Sequence, residues 1–353
     1  MALYDYGNTR LRARISRLFS PQELESLGHL TSIDTFISTL SKTHYKASIE
    51  KALTYAHGYD CVTEALRRES EEIVRDVKRF YAPELWKKIR IIFTRKDLQN
   101  IKAIFRGIIH GVQADDIVRS LSPLGTVSSQ FIIDIAKSKN IETAIDKVFV
   151  YRIDFAENLQ ELKKTSDSLS ATKIERELEM WYFQRMKQIL SGRGEDIELL
   201  RTFVEFHADI VNLNTLLRFV DAPQYLAEDE EPIDYYLIAS GSLPTNRLIA
   251  LSEEKSVASV IKGLSFSKHS SYLLKALDCY RQTGQLSEFE NQMHKALLTW
   301  QTKLPKQYPF GVGVPIGYVA LKFSEIRNLR WLSRGIYSGF EPSFINENLE
   351  RTK

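Results

Sequence analysis

Acidic, amide and basic side chains recur at one fixed spacing in this 353-residue chain. An acid is followed by asparagine three residues later and by arginine six residues after that, and only four of the eleven asparagines have both neighbours. The four copies are Asp5/Asn8/Arg14, Asp97/Asn100/Arg106, Asp209/Asn212/Arg218 and Glu325/Asn328/Arg334. Such groups could bind a ligand, or they could hold a neighbouring helix by hydrogen bonds. We favour the structural interpretation, because repetition is typical of a scaffold whose units bury their apolar faces against one another.

Sequence motifs of catalysis are missing from the chain. There is no Walker-type lysine motif, no His-Glu-x-x-His and no nucleophile elbow, and the seven histidines are scattered singly. Cys61 and Cys279 lack the paired spacing of zinc or redox sites. The segment Gly311 to Gly317 superficially resembles a phosphate loop, but it follows no strand pattern, and Pro315 removes a backbone N–H donor. We therefore expect a protein that is not an enzyme and that holds no metal or cofactor.

Hydrophobic periodicity predicts helices almost everywhere, and alternating strand patterns are scarce. On a helix of about 100° per residue, the acid of the motif lies in the middle of an apolar arc, and the arginine lies on the opposite side. A carboxylate inside an apolar stripe costs several kcal/mol unless it is paired or hydrogen-bonded. We therefore expect Asp97, Asp209 and Glu325 to occupy equivalent positions on three helices, each facing a helix interface with a hydrogen-bond partner.

A second repeated pattern follows the first three copies of the motif. It reads apolar, any, Ser or Thr, any, Ile, with another apolar residue three positions further on. Its copies are Ile33/Thr35/Ile37/Leu40, Ile141/Thr143/Ile145/Val148 and Val257/Ser259/Ile261/Leu264. Together the two patterns predict an all-α protein of three helical repeat units, at residues 1–90, 91–200 and 201–353, the last unit carrying the closing motif. Proline and glycine clusters at 122–125, 191–194, 222–223, 241–244 and 305–317 predict breaks between helices.

The charge pattern bears on possible partners. The formal net charge is only +3, although Arg10, Arg12, Arg14 and Arg17 form a basic start. Because Arg14 belongs to the repeated motif, Arg12 and Arg17 are the better candidates for docking a partner. No apolar stretch approaches the roughly 18 residues of a membrane span. We expect a cytosolic setting, no direct membrane insertion and no nucleic acid as a partner.

Three stretches of the chain resemble a known family. The C-terminal one runs from Pro309-Phe310-Gly311 through Gly317-Tyr318 to Arg334-Gly335, and it resembles the signature of the C subunits of archaeal and bacterial A/V-type rotary ATPases, the counterparts of the d subunit of vacuolar ATPases. The N-terminal stretches, Tyr4-Asp5-Tyr6 with Arg10 to Arg14, and Leu40, Thr43 and Tyr45, resemble two further motifs of that family. Trp331 and Ser333 stand where aliphatic residues are expected.

The resemblance implies three pseudo-threefold-related helical bundles that form a funnel with a central cavity. It also implies a non-catalytic rotor subunit that couples the central stalk to the proteolipid ring, on the cytoplasmic face of the membrane, for proton or sodium transport. Such a subunit is a monomer within a hetero-oligomeric complex. One alternative is a cytosolic helical-repeat scaffold, although solenoid repeats of about 33 to 47 residues are much shorter than these units. Another alternative is an enzyme with a cryptic site.

The expected burial of the motif acids gives a first testable prediction. The variant Asp97→Ala should lower the free energy of unfolding by about 1 to 3 kcal/mol, because a buried hydrogen-bonded network then loses one partner. Urea denaturation followed by circular dichroism measures this loss. An equal loss in an alanine variant of a surface acid outside the motif would contradict the interpretation.

Overall fold

The structure is a computed structural model that describes residues 2–121, 125–166, 169–221 and 231–351, without the side chains of residues 2, 3 and 129. Helices are the regular secondary structure of these residues, and no strand occurs among them, which confirms the all-α class. The helices are α1 (Ala2–Ile15), α2 (Pro21–Gly28), α3 (Ile33–Leu40), α4 (Lys46–Leu53), α5 (Gly58–Phe80), α6 (Pro83–Ile89), α7 (Ile91–Ile109), α8 (Ala114–Ser120), α9 (Ser129–Ala136), α10 (Ile141–Val150), α11 (Ala156–Thr165), α12 (Ala171–Ile189), α13 (Glu195–Asp221), α14 (Ile233–Tyr236), α15 (Thr245–Leu251), α16 (Val257–Gly263), α17 (Ser270–Thr283), α18 (Ser287–Gln307), α19 (Gly313–Tyr337) and α20 (Pro342–Glu347).

The contacts within the chain divide it into two compact units. Unit 1 comprises Met1–Asp97, Ser122–Val127 and Gln301–Lys353, and unit 2 comprises Leu98–Leu121 and Ser128–Trp300. The three-unit division at 90 and 200 stays a prediction; residue 200 falls inside α13.

A long central helix organises unit 1. Helix α19 packs against α1, α2, α3, α5 and α20 and is buried along most of its length. Its buried residues include the apolar Ile316, Ile326 and Leu329 as well as the polar Lys322 and Glu325. Burial on all sides explains why a strict one-sided apolar stripe is missing from this helix.

Helix α13 has the corresponding place in unit 2. It packs against α12, α14, α15 and α16, and its apolar Leu200, Leu213 and Leu216 are buried together with Asp209 and Asn212. Both long helices therefore carry polar motif residues inside apolar surroundings. Those polar groups need hydrogen-bond partners from neighbouring elements.

The second repeated pattern marks three helix starts. Helices α3, α10 and α16 begin at its first residue in each copy: Ile33, Ile141 and Val257. The residue before each start caps the helix: a side-chain oxygen of Ser32, Asn140 or Ser256 accepts a backbone N–H of the first turn. The cap satisfies one of the donors that a helix start leaves unpaired.

The proline and glycine clusters have different outcomes. Residues 191–194 and 241–244 connect helices as expected, and residues 122–124 and 222–223 lie outside the described residues. The break expected over 305–317 is wrong at both ends, because α18 continues through Pro305 to Gln307 and α19 already begins at Gly313. Pro305 has no N–H to donate to the carbonyl of Gln301, yet α18 continues for two residues past it.

Close packing at Gly317 gives the second prediction. A Cβ atom at this position would overlap the Pro305 ring and lie 2.9 Å from the backbone oxygen of Gln301. Because backbone and a proline ring cannot move aside easily, Gly317→Ala should destabilise the protein by about 1 to 3 kcal/mol. The control is Gly192→Ala, where the nearest atom to an added Cβ is 3.9 Å away. Thermal denaturation compares the two variants, and equal melting temperatures would contradict the packing argument.

Candidate functional site

Asp97 holds the loop that precedes α9. Its side chain is 6% exposed. Oδ2 accepts hydrogen bonds from the backbone N–H of Thr126 (3.0 Å) and from its hydroxyl (2.7 Å), and Oδ1 accepts the N–H of Val127 (3.0 Å). Burial raises the pKa of Asp97 above its ordinary value, and these hydrogen bonds partly oppose that rise.

Asp209 holds the loop that precedes α15 in the same manner. It is fully buried, and Oδ1 accepts the N–H of Leu243 (3.0 Å) while Oδ2 accepts the hydroxyl of Ser242 (2.6 Å). The buried His269 adds a further contact, with Nε2 2.8 Å from Oδ2. All of the carboxylate's partners at this site lie in unit 2.

Glu325 makes the third arrangement, with the ammonium of Lys322 among its partners. Oε2 accepts the backbone N–H of Phe19 (2.6 Å), and Oε1 accepts the hydroxyl of Tyr45 (2.7 Å). Nζ of Lys322 lies 3.0 Å from Oε1, and Nε2 of His44 lies 3.2 Å from it. Burial raises the pKa of Glu325, but the ammonium of Lys322 and the hydrogen bonds from His44 and Tyr45 outweigh burial and lower it to about 2.

The three arrangements, which we call the Asp97, Asp209 and Glu325 clamps, share one geometry. Each carboxylate accepts the backbone N–H of the apolar residue that stands immediately before the N-cap of a helix. The apolar residues and N-caps are Val127 and Ser128 before α9, Leu243 and Pro244 before α15, and Phe19 and Ser20 before α2. Each clamp therefore fixes the point at which the chain enters a helix.

The asparagines clamp backbone as well. The amide of Asn212 donates to the carbonyl of Ile238 (2.8 Å) and accepts its N–H (2.7 Å). Asn328 makes the same pair of bonds with Glu350, at 2.9 and 2.8 Å. The buried Asn8 instead donates to the carbonyls of Pro309 and Gly311, at 3.2 Å each. Asn100 is also buried.

The remaining motif residues lie at the surface or near it. Asp5 is exposed, so the first acid does not share the buried place of the other three. Arg14 forms an ion pair with Asp76 (2.6 Å), and Arg106 hydrogen-bonds Glu175 through Nε (2.9 Å). Arg218 and Arg334 are exposed. The arginines therefore belong to solvated helix faces, on the side opposite the buried acids.

The two docking candidates differ in their surroundings. Arg12 donates to the carbonyl oxygen of Pro309 (2.7 Å), so its guanidinium supports the connection between α18 and α19. Arg17 is exposed and lines a cavity of about 340 Å³ within unit 1. The cavity also borders the Glu325 clamp, through His44 and Lys322.

The sequence interpretation missed the donors of the clamps. A usable signal exists for two of them, since Gly125-Thr126-Val127 and Gly241-Ser242-Leu243 match in residue type. A Cβ at either glycine would overlap the carboxylate that the loop contacts. Phe19 stands in no such glycine pattern, and its bond to Glu325 spans 306 positions. Local spacing could not have revealed it.

The described residues hold no group of three or more His, Cys, Asp and Glu side chains that could bind a metal ion. Across the same residues, every helix is too short or too polar to cross a membrane. The clamps are built to hold backbone, because their carboxylates are saturated by donors from the protein itself. They define an all-α protein in which buried acids hold the starts of helices.

Comparison with known proteins identifies the family. A family model described as ATP synthase (C/AC39) subunit matches residues 7–348, and the chain belongs to this family. It is therefore an accessory subunit of an ATP synthase, outside the catalytic subunits. Similar proteins include the C subunit of the A-type ATP synthase of Methanocaldococcus jannaschii, 25% identical over 99% of this chain and 86% of that protein. The corresponding protein of Pyrococcus abyssi is 24% identical, over 98% and 89%, and that of Haloquadratum walsbyi 21%, over 97% and 97%. The resemblance seen in the sequence is confirmed.

The opposite pKa shifts of Glu325 and Asp97 give the third prediction. Because the pKa of folded Glu325 is about 2, against an ordinary 4.5, its stabilisation is complete above pH 4.5 and is lost as the pH falls towards 2. The stability deficit of Glu325→Gln relative to the wild type should therefore shrink on acidification, by roughly 3 kcal/mol over the whole range. Urea midpoints between pH 7 and pH 3 measure the deficit.

Asp97→Asn serves as the matched comparison. In the wild type, the pKa of folded Asp97 is raised above its ordinary value of 3.8. The stabilisation from Asp97 is therefore complete below pH 3.8 and is lost as the pH rises through the pKa of the folded state. The deficit of this variant should grow on acidification. Parallel pH profiles for the two variants would contradict the assignment of charge at the two clamps.

Proposed function

We propose that this protein is the central-rotor subunit of an A-type ATP synthase, which couples the central stalk to the proteolipid ring of the membrane. It transmits torque for proton or sodium transport and carries out no catalysis itself. The names of its relatives support the assignment to an A-type complex. The observation that carries the mechanical part is the set of three buried clamps.

The clamps suit a part that transmits torque. A hydrogen bond to a charged group contributes roughly 1.5 to 3 kcal/mol, and each clamp has several such bonds directed at the entry of a helix. Load applied to one helix therefore passes to the next through short, saturated contacts and densely packed side chains, which yield little under strain. A flexible connection at the same places would dissipate the rotation.

The repeated clamps also support the proposed architecture. Three bundles around a pseudo-threefold axis require three equivalent helix junctions, and Asp97, Asp209 and Glu325 supply them. The bundles correspond to residues 1–90, 91–200 and 201–353, with the closing motif on α19 holding the loop before α2. Together they would form a funnel whose central cavity receives the foot of the stalk.

We place the protein on the cytoplasmic face of the membrane, as a monomer in a hetero-oligomeric complex. Attachment runs through the proteolipid ring, by loops and helix ends whose unsatisfied backbone groups can meet polar loops of the ring. Arg12 and Arg17 are the proposed docking residues. Nucleic acid has no part in this function.

Vesicle binding tests the attachment. The purified protein should float with vesicles that carry the proteolipid ring and should stay unbound with vesicles of the same lipids alone. The bound fraction should fall as salt rises, because ionic strength shortens the screening length of an exposed polar interface. Tight binding to bare lipid, unaffected by the ring, would contradict attachment through the ring. ATP turnover by the isolated protein would contradict a non-catalytic role.

A further inference from the structure

The cavity within unit 1 has a volume in the range of ligand sites and is walled mainly by charged side chains. Its basic residues are Arg14, Arg17, Arg79 and Lys322, with His44 beside them, and its acidic residues are Glu69, Glu72 and Asp76. A cavity lined by charged side chains favours a ligand whose charge complements the net charge of the lining. The charge that the walls leave uncompensated therefore decides what fits.

Most of the wall charges are already paired. Asp76 bonds Arg14 (2.6 Å) and Arg79 (2.7 Å). Lys322 is buried between Glu325 at 3.0 Å and Glu69 at 3.5 Å. Because these pairs offset one another, they attract a free ion only weakly.

Glu72 is engaged as well, with an ion pair to Arg75 (2.6 Å). Arg17 has no ion pair or hydrogen bond from its side chain to any of the described residues. The cavity therefore presents one unsatisfied guanidinium at its wall. A guanidinium favours a planar carboxylate, which it can bind with two parallel hydrogen bonds.

The repeats show that Arg17 is a departure from a common pattern. It stands two residues before Phe19, the residue whose N–H the Glu325 clamp accepts. The other two clamps have Gly125 and Gly241 at that position, each packed directly on the carboxylate. The Asp97 and Asp209 clamps pack closely on that glycine, whereas the Glu325 clamp has a long basic side chain there and borders an open cavity.

We propose that this cavity receives one acidic side chain of a partner subunit, whose carboxylate binds Arg17. This inference rests on the proposed function, since it assumes a partner within the rotor. A single carboxylate fits better than a phosphate group, because Glu69, Glu72 and Asp76 on the walls repel a dianion while one uncompensated arginine balances one charge. The contact would fix the rotational register of the partner, because the arginine side chain lies at one defined place in unit 1.

Charge reversal tests the pairing. Binding to the purified stalk and, separately, to the purified proteolipid ring is measured for the wild type, Arg17→Glu and Arg10→Glu. Arg10 is exposed in α1, belongs to the same basic start of the chain and is absent from the cavity wall, so it matches the change in net charge. We expect Arg17→Glu to weaken binding about ten- to a hundredfold and Arg10→Glu by less than about threefold. Equal weakening by both variants, or none by Arg17→Glu, would overturn the inference, provided that both melt at the wild-type temperature.

A crosslinking experiment identifies the acid and does not depend on affinity. The variant Arg17→Lys keeps the positive charge and supplies an amine that a carbodiimide joins to a neighbouring carboxylate as an amide. Mass spectrometry should then find position 17 joined to an acidic residue of the partner, with no such product at position 10 in Arg10→Lys. A crosslink at position 10 alone would overturn the assignment.

Two further outcomes separate the possible failures. If inorganic phosphate, at constant ionic strength, displaces the partner from the wild type and protects Arg17 from modification, the site is one for free phosphate and the carboxylate assignment is wrong. If the wild type itself binds neither the stalk nor the ring, the proposed function fails. Loss of binding that is confined to Arg17→Glu supports both the proposed function and the contact of Arg17 with an acidic side chain.

Discussion

A buried carboxylate that accepts the backbone N–H just ahead of a helix is the interaction on which this fold depends. Burying an ionised acid costs several kcal/mol unless donors surround it, and the start of a helix brings backbone N–H groups that lack partners. Each clamp brings these two unfavourable groups together. Asp97, Asp209 and Glu325 are consequently stable inside apolar surroundings, and the chain direction at three helix entries is fixed by the same bonds.

The Glu325 clamp joins residues that are far apart in the chain. In the other two clamps the carboxylate holds a loop roughly 30 residues further along the chain, whereas Glu325, near the end of the chain, holds Phe19 near its beginning. This explains why the last motif has no second pattern after it, because the corresponding helix is α3, which packs against α19. The first motif is then left without a clamp. Its Asn8 holds the connection between α18 and α19 instead.

The angular positions of residues around a helix were sufficient to predict which motif side chains are buried. They placed the three acids inside the apolar arc, and the acids are buried with hydrogen bonds. Periodicity could not predict the partners, because it does not record loop length. The repeated glycine pattern signals the donors to Asp97 and Asp209, but nothing local signals Phe19. The end of α18 was misjudged for a different reason: proline signals a break, yet α18 continues two residues past Pro305. The cavity was invisible, since it depends on the tertiary arrangement of several helices.

The three clamps differ in the residues that contact the carboxylate. The Asp97 and Asp209 clamps close on a glycine and on short hydroxyl side chains, so their loops lie directly on the carboxylate. The Glu325 clamp uses a longer acid and the ammonium of Lys322, which stands where the others have Thr94 and Phe206. Glu325 still accepts the backbone N–H of Phe19 at 2.6 Å, so the ammonium of Lys322 adds to the backbone donor and does not replace it. What distinguishes this clamp is the residue two positions before the held N–H: Arg17 stands where the other two clamps have glycine, and the cavity that Arg17 lines lies directly beside Lys322 and His44 of the clamp.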